Sequence, residues 1–148
     1  MRLRRVLVAN RGEIALRIVR AAKGLGLETV LAASTADHGS LAAQEADRVV
    51  TLGPAPARSS YLDARLVVHA AKATGCDALH PGYGFLSERA ALARLCEEQG
   101  VTFVGPTSQS IEAVGDKLAA RRLAKAAGVA MTPGSAKLAS AARSDRKP

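Results

Sequence analysis

Arg5-Val6-Leu7-Val8-Ala9 is a short apolar run, and Asn10-Arg11-Gly12 closes it. The period then changes: Ile14, Ala15, Ile18, Val19, Ala22 and Leu25 fall on one helical stripe, while Glu13, Arg17 and Arg20 fall on another. Gly24-Leu25-Gly26 supplies a stop, because glycine accepts the left-handed C-terminal cap without a steric penalty. Residues 29–33 then read as a second buried strand. Strand, helix and strand within about 30 residues is the size of one βαβ unit.

The pattern weakens after Ser34-Thr35-Ala36-Asp37, with a short helical piece over 41–46 and a strand over 48–52 that Gly53-Pro54-Ala55-Pro56 breaks. A helix is predicted over 62–74, with Leu66, Val67, Ala70 and Ala71 on its apolar side and Gly75 at its end. Residues 77–79 form a brief strand feeding the loop 80–87. A helix over 88–99 buries Leu92, Leu95 and Cys96, Gly100 stops it, and 101–104 is another strand. Strands alternating with helices over short loops argue for a parallel sheet covered on both faces. The predicted fold is thus a doubly wound, Rossmann-like α/β domain. Beyond Gly105-Pro106 the pattern is helical, over 109–114 and then 116–127 with Asp116 as N-cap. Gly128-Val129-Ala130-Met131 is read as the beginning of a strand, and residues 136–148 as a basic, disordered or loosely helical tail.

Composition narrows the possibilities. The 148 residues allow one compact domain and little more. With 3% aromatic residues, no Trp and about thirty alanines, the core must be built from small aliphatic side chains. That scarcity also excludes an aromatic platform for single-stranded nucleic acid. The formal charge of +8 would suit a polyanion if it were clustered. It is not: Arg2, Arg4 and Arg5 sit at the start, other basic residues are spread along helical faces, and Lys137, Arg143, Arg146 and Lys147 lie in the tail. A solvated surface is the expected reading, and no nucleic-acid partner is expected. Cys76 and Cys96 have no Cys or His at zinc-finger spacing and read as buried thiols in a reducing compartment. No apolar run approaches the roughly 20 residues of a membrane span, so no membrane partner and a cytoplasmic location are expected.

In an open α/β sheet, ligands gather outside the carboxyl ends of the strands. Two such loops are unusual. Asn10-Arg11-Gly12-Glu13 opens a helix from a strand end, where free N–H groups can hold an anion. It lacks G-x-G-x-x-G, and Asp37 only partly imitates the ribose-binding acid, which argues against a nicotinamide cofactor. Alternatively, Asn10 and Gly12 shape a tight turn and Arg11 pairs with a neighbouring acid. The second loop, His80-Pro81-Gly82-Tyr83-Gly84-Phe85-Leu86-Ser87-Glu88, is denser. Glycines flanking Tyr83 permit positive φ or close backbone approach, so the ring could form a wall for a flat substrate. Glu88 is placed in the next helix's first turn, where the dipole favours it. Spacing leaves a second reading open: His80 is a satisfied, partly buried histidine, and Tyr83 and Phe85 pack under the loop.

These segments, together with Gly53-Pro54-Ala55-Pro56, Ser60-Tyr61-Leu62, Phe103-Val104-Gly105-Pro106 and Gly115-Asp116-Lys117, resemble the N-terminal domain of biotin carboxylase over residues 5–135. That domain is the first part of the biotin carboxylase component of acetyl-CoA, propionyl-CoA and pyruvate carboxylases. The resemblance implies a pre-ATP-grasp domain over 1–115, the start of the linker and ATP-grasp region over 116–135, and the tail over 136–148. The family carboxylates biotin on a carrier protein, activating bicarbonate with ATP and Mg²⁺ or Mn²⁺. By resemblance, Lys117 contacts nucleotide phosphates, Tyr83, Gly84 and Glu88 border the biotin and bicarbonate pocket, and Arg17 and Arg20 belong to a homodimer contact. Gly24 stands where many bacterial members carry an acid, which would weaken that contact.

The family's ATP-grasp fold, metal-binding acids and bicarbonate-binding residues have no counterpart in the sequence, which runs from Pro133-Gly134-Ser135 into the tail as a truncated or frame-shifted reading would. The chain alone is therefore expected to lack carboxylase activity, to hold no complete catalytic set or metal site, and to bind none of these cofactors tightly. An ATP-grasp chain or an intact carboxylase subunit would complete it. The alternative is a non-catalytic interaction module that binds an intact carboxylase.

Overall fold

The computed structural model describes residues 2–132. The chain divides into two units, residues 1–112 and 113–148. The first holds a five-stranded sheet in the order β3-β2-β1-β4-β5, formed by β1 (Arg5–Val8), β2 (Glu28–Ser34), β3 (Arg48–Gly53), β4 (Ala78–His80) and β5 (Thr102–Phe103). Every pairing is parallel, with Val8 opposite Leu31 on one side and His80 on the other.

Successive strand residues point to opposite faces, and the core divides accordingly. Leu7, Val30, Ala32 and Leu79 pack with Val67, Val68 and Ala71 of α3 (Ala64–Ala73) and with Leu92 and Cys96 of α4 (Ala90–Glu98). Val8, Leu31 and Ala33 pack on the other face against Ala15, Ile18 and Val19 of α1 (Gly12–Gly24) and Ala42 of α2 (Leu41–Glu45). Helices thus cover both faces, as the alternating pattern predicts. The chain moves from β1 outward to β3, then returns to the far side of β1 as β4. That reversal lies beside β1, where a crevice opens at the carboxyl ends.

Several boundaries move for local reasons. The helix predicted from residue 62 begins at Ala64, because the Asp63 side chain caps it by accepting from the Leu66 N–H at 3.0 Å. The helix predicted from residue 88 begins at Ala90, so Glu88 stands in the preceding turn and not in the helix's first turn. The strand over 101–104 shortens to two residues. In α5 (Ser108–Gly115), Ser108 and Ile111 are buried, and Glu97 receives both the Ser108 N–H at 2.9 Å and its hydroxyl at 2.7 Å.

Within the second unit, α6 (Lys117–Ala126) starts where expected: the Asp116 carboxylate accepts from the Ala119 N–H at 2.6 Å. No strand forms over 128–132 among the described residues. Val129 instead donates its N–H to the Ala124 carbonyl at 2.9 Å behind Gly128 at φ +70°, a helix stop that uses the glycine's left-handed freedom. The tail assigned to 136–148 lies outside the described residues.

Candidate functional site at the carboxyl edge of the sheet

The two unusual loops meet. Beyond the last β1 residue, the Ala9 N–H still donates to the His80 carbonyl at 2.9 Å, continuing the ladder into both loops. Asn10, 3% exposed, then crosses the crevice. Its Nδ2 donates to the Pro81 carbonyl at 2.8 Å and the Tyr83 carbonyl at 2.9 Å, while its Oδ1 accepts from the Arg11 N–H at 2.9 Å. A carboxamide suits this task, because it carries two donors and an acceptor in one plane. Gly82 makes room for it: a Cβ there would lie 2.5 Å from Asn10 Nδ2, and its φ is +70°.

The 80–88 loop is held in an unusual backbone shape. Gly82, Gly84 at φ +71° and Phe85 at φ +46° are all left-handed. For glycine this is free, but for phenylalanine it costs on the order of 1–2 kcal/mol. Two contacts offset it. The Phe85 ring stacks on Tyr61 with centroids 5.0 Å apart and planes 7° from parallel. The Arg11 guanidinium lies 5.5 Å from the Phe85 centroid and 5.9 Å from that of Tyr61, within cation–π range. Arg11 therefore lies over aromatic rings, where the sequence suggested a paired acid. His80 is half-buried and its Nδ1 accepts from the Gly82 N–H at 3.0 Å, so that nitrogen carries no proton. Burial pushes the imidazole pKa down, which keeps it neutral.

Tyr61 anchors this stack. It is 2% exposed; its hydroxyl donates to Asp37 Oδ2 at 2.7 Å and accepts from the buried Ser34 N–H at 2.9 Å. Burial pushes the phenol pKa up, so it remains a donor at neutral pH. Desolvation raises the Asp37 carboxyl, but hydrogen bonds from Ser34 and Tyr61 and the charges of Arg11 and His38 outweigh it and hold the group below its ordinary value. The ends of β1, β2 and β4 are thus joined through Asn10, Arg11, Phe85, Tyr61 and Asp37. Sequence reasoning missed the roles of Tyr61 and Asp37, and took Asn10 only as a turn former. Ser60-Tyr61-Leu62 was visible as a motif, but no local periodicity says what a lone tyrosine touches across 27 residues.

The predicted site residues fall in three places. Tyr83, Gly84 and Glu88 share the 80–88 loop, and all three are exposed. Tyr83 is 77% exposed, so it stands out from the loop and does not pack beneath it, whereas Phe85 packs on the core. Lys117 is the exposed first residue of α6 in the second unit. Arg17 and Arg20 lie on the exposed side of α1. Arg20 makes a two-pronged contact with Glu45, Nε to Oε2 at 2.8 Å and Nη2 to Oε1 at 2.6 Å. Among the described residues, no three His, Cys, Asp or Glu side chains gather where they could hold a metal. A separate open groove of about 580 Å³ is lined by Arg58, Leu62, Asp63, Arg65, Arg94 and Glu98, among others, and contains none of the predicted site residues.

Residues 2–111 match the family model described as the N-terminal domain of biotin carboxylase. The chain belongs to that family. The alpha subunit of mitochondrial methylcrotonoyl-CoA carboxylase from Oryza sativa subsp. japonica is 55% identical over 130 residues, which are 88% of this chain and 18% of the relative. Biotin carboxylase 1 of Bacillus subtilis (strain 168) is 51% identical over 133 residues, 90% of this chain and 30% of that protein. Among solved structures, the biotin carboxylase domain dimer of Hydrogenobacter thermophilus 2-oxoglutarate carboxylase, in complex with MgADP, ADP and bicarbonate, superimposes with a TM-score of 0.87 at 44% identity. It covers 92% of this chain and 30% of that one. The chain thus spans between about a fifth and a third of these relatives' lengths.

Proposed function

We propose that this domain forms one wall of a site where biotin is carboxylated by ATP and bicarbonate, within an acyl-CoA carboxylase. The observation that carries the reading is the 80–88 loop, clamped from below by Asn10 and presenting Tyr83, Gly84 and Glu88 at the crevice of a biotin carboxylase N-terminal domain. The exposed Tyr83 ring offers a flat face to biotin, the bare Gly84 backbone lets a ligand approach, and the Glu88 carboxylate can accept from an N–H donor. Lys117 supplies a cation for nucleotide phosphate, and Arg17 and Arg20 belong to a contact with a second copy.

Among the described residues no three His, Cys, Asp or Glu side chains gather around one point, and no phosphoryl-transfer step is assigned to this chain's own side chains. Such transfer depends on positioning and on neutralising phosphate charge. A larger carboxylase chain supplies the remaining groups in this reading, and the 148-residue chain alone turns over no ATP. Two assays test it. The purified chain with ATP, bicarbonate, Mg²⁺ and free biotin should release no ADP. Exchanging residues 2–132 for the matching segment of Bacillus subtilis biotin carboxylase 1 should leave biotin-dependent ADP release. A folded chimera without that release, or turnover by the short chain, overturns the proposal.

A further inference from the structure

Asn10 makes contacts that a simple turn former would not need. Its two Nδ2 hydrogen bonds span 71 and 73 residues and end on the carbonyls of Pro81 and Tyr83, on either side of left-handed Gly82. Those carbonyl directions are set by the torsions that turn Tyr83 outward. Its Oδ1 is occupied by the Arg11 N–H, which leaves the amide no freedom to rotate. Gly82 closes the fit, since nothing larger than hydrogen at its α-carbon clears the Asn10 side chain. Gly82 and Gly84 take the left-handed conformation freely, so without strain of its own the Pro81–Gly84 backbone depends on outside contacts to keep one shape. Here the segment carries Tyr83 and Gly84, fully outside the core.

We infer that Asn10 is a positioning residue: by holding the Pro81 and Tyr83 carbonyls it fixes the aim of Tyr83 and thereby sets the enzyme's affinity for biotin. This rests on the reading that the loop borders the biotin pocket. Asn10 touches no substrate itself. Aspartate has its shape but presents oxygen to two carbonyl oxygens, so Asn10→Asp should release the loop with little change in volume. Gly82→Ala approaches the same contact from the other side, leaving the amide in place and driving a methyl group into it.

Amide hydrogen exchange on the 148-residue chain is the first test. In both variants, peptides over 82–88 should exchange about tenfold faster, as expected for two lost hydrogen bonds to a loop, while β2 and α3 stay protected. In the chimera with Bacillus subtilis biotin carboxylase 1, Asn10→Asp should raise the KM for biotin about tenfold and move the KM for ATP less than twofold. If Asn10→Asp does not fold, Gly82→Ala is measured in its place. Unchanged exchange in the loop overturns the inference. A loosened loop with an unchanged KM for biotin overturns it too, leaving the proposed function standing. An unsubstituted chimera without biotin-dependent activity overturns the proposed function and the biotin clause, and exchange still decides whether Asn10 holds the loop.

Discussion

Replacing Tyr61 with phenylalanine isolates one oxygen atom. The ring keeps its stack on Phe85 and no cavity opens, so the change falls on two hydrogen bonds. The Ser34 N–H, buried at the end of β2, loses its acceptor at 2.9 Å, and an unsatisfied buried donor costs about 1–3 kcal/mol. Asp37 loses a donor at 2.7 Å but keeps the Ser34 hydroxyl at 2.6 Å, which adds about 1 kcal/mol. The expected loss is about 2–4 kcal/mol, a large share of the roughly 5–15 kcal/mol that holds a domain folded. It corresponds to a Tm drop of about 6–13 °C for a chain of this size. Urea unfolding followed by circular dichroism at pH 7 measures it. The pH dependence supplies a second check. The Asp37 carboxyl lies below its ordinary 3.8 in the folded chain, so its contribution is present above that value and is lost as pH falls through the folded value. The gap between Tyr61→Phe and the unsubstituted chain should therefore narrow in acid. A loss under about 0.5 kcal/mol at pH 7, smaller than one ordinary hydrogen bond, would refute the role given to this hydroxyl.

Three further outcomes are expected. Asp47 accepts from the Thr29 hydroxyl and N–H and pairs with Lys23, which lowers its pKa from 3.8 to about 2; its stabilisation is complete above about pH 4 and lost towards pH 2, and Asp47→Asn should flatten that part of the acid-unfolding curve. Burial pushes the Cys96 thiol up to about 11 and raises that of Cys76, so a thiol reagent at pH 8 should label neither in the folded chain and both in denaturant; rapid labelling of the folded chain would contradict this. Leu79, fully buried between α3 and α4, should cost about 2–5 kcal/mol when truncated to alanine, read from the denaturation midpoint.

The fold was visible in the sequence because its signals are local. Apolar runs ended by glycine mark β1, β4 and the helix stops, and the helical stripe of Ile14 to Ala22 is the face that α1 buries. Boundaries slipped where one side chain decides them, as with the Asp63 cap that moves α3 to Ala64. The residues after 127 misled for a related reason: Val129 and Met131 suit a strand, but Gly128 lets Val129 turn back onto the helix end. At the site, the 80–88 loop was conspicuous in its glycines and aromatics. The links from Asn10 to Tyr83 and from Tyr61 to Asp37 were not, because they join residues 73 and 24 positions apart. Only the sheet order brings those positions together.

That order also dictates a sequence of events at the ribosome. β1 finds β2 within about two dozen residues, yet its other neighbour begins at Ala78. Until β4 emerges, one side of a strand meant for the middle of the sheet is unpaired and available to other chains, the condition in which unprotected edges aggregate. Asn10 is made 71 and 73 residues ahead of Pro81 and Tyr83 and must wait for them before its amide has partners. Because long loop closures are slow to form, the clamp should close late, and the nascent domain keeps an open core face and an unpaired β4 edge until α4 and β5 follow it.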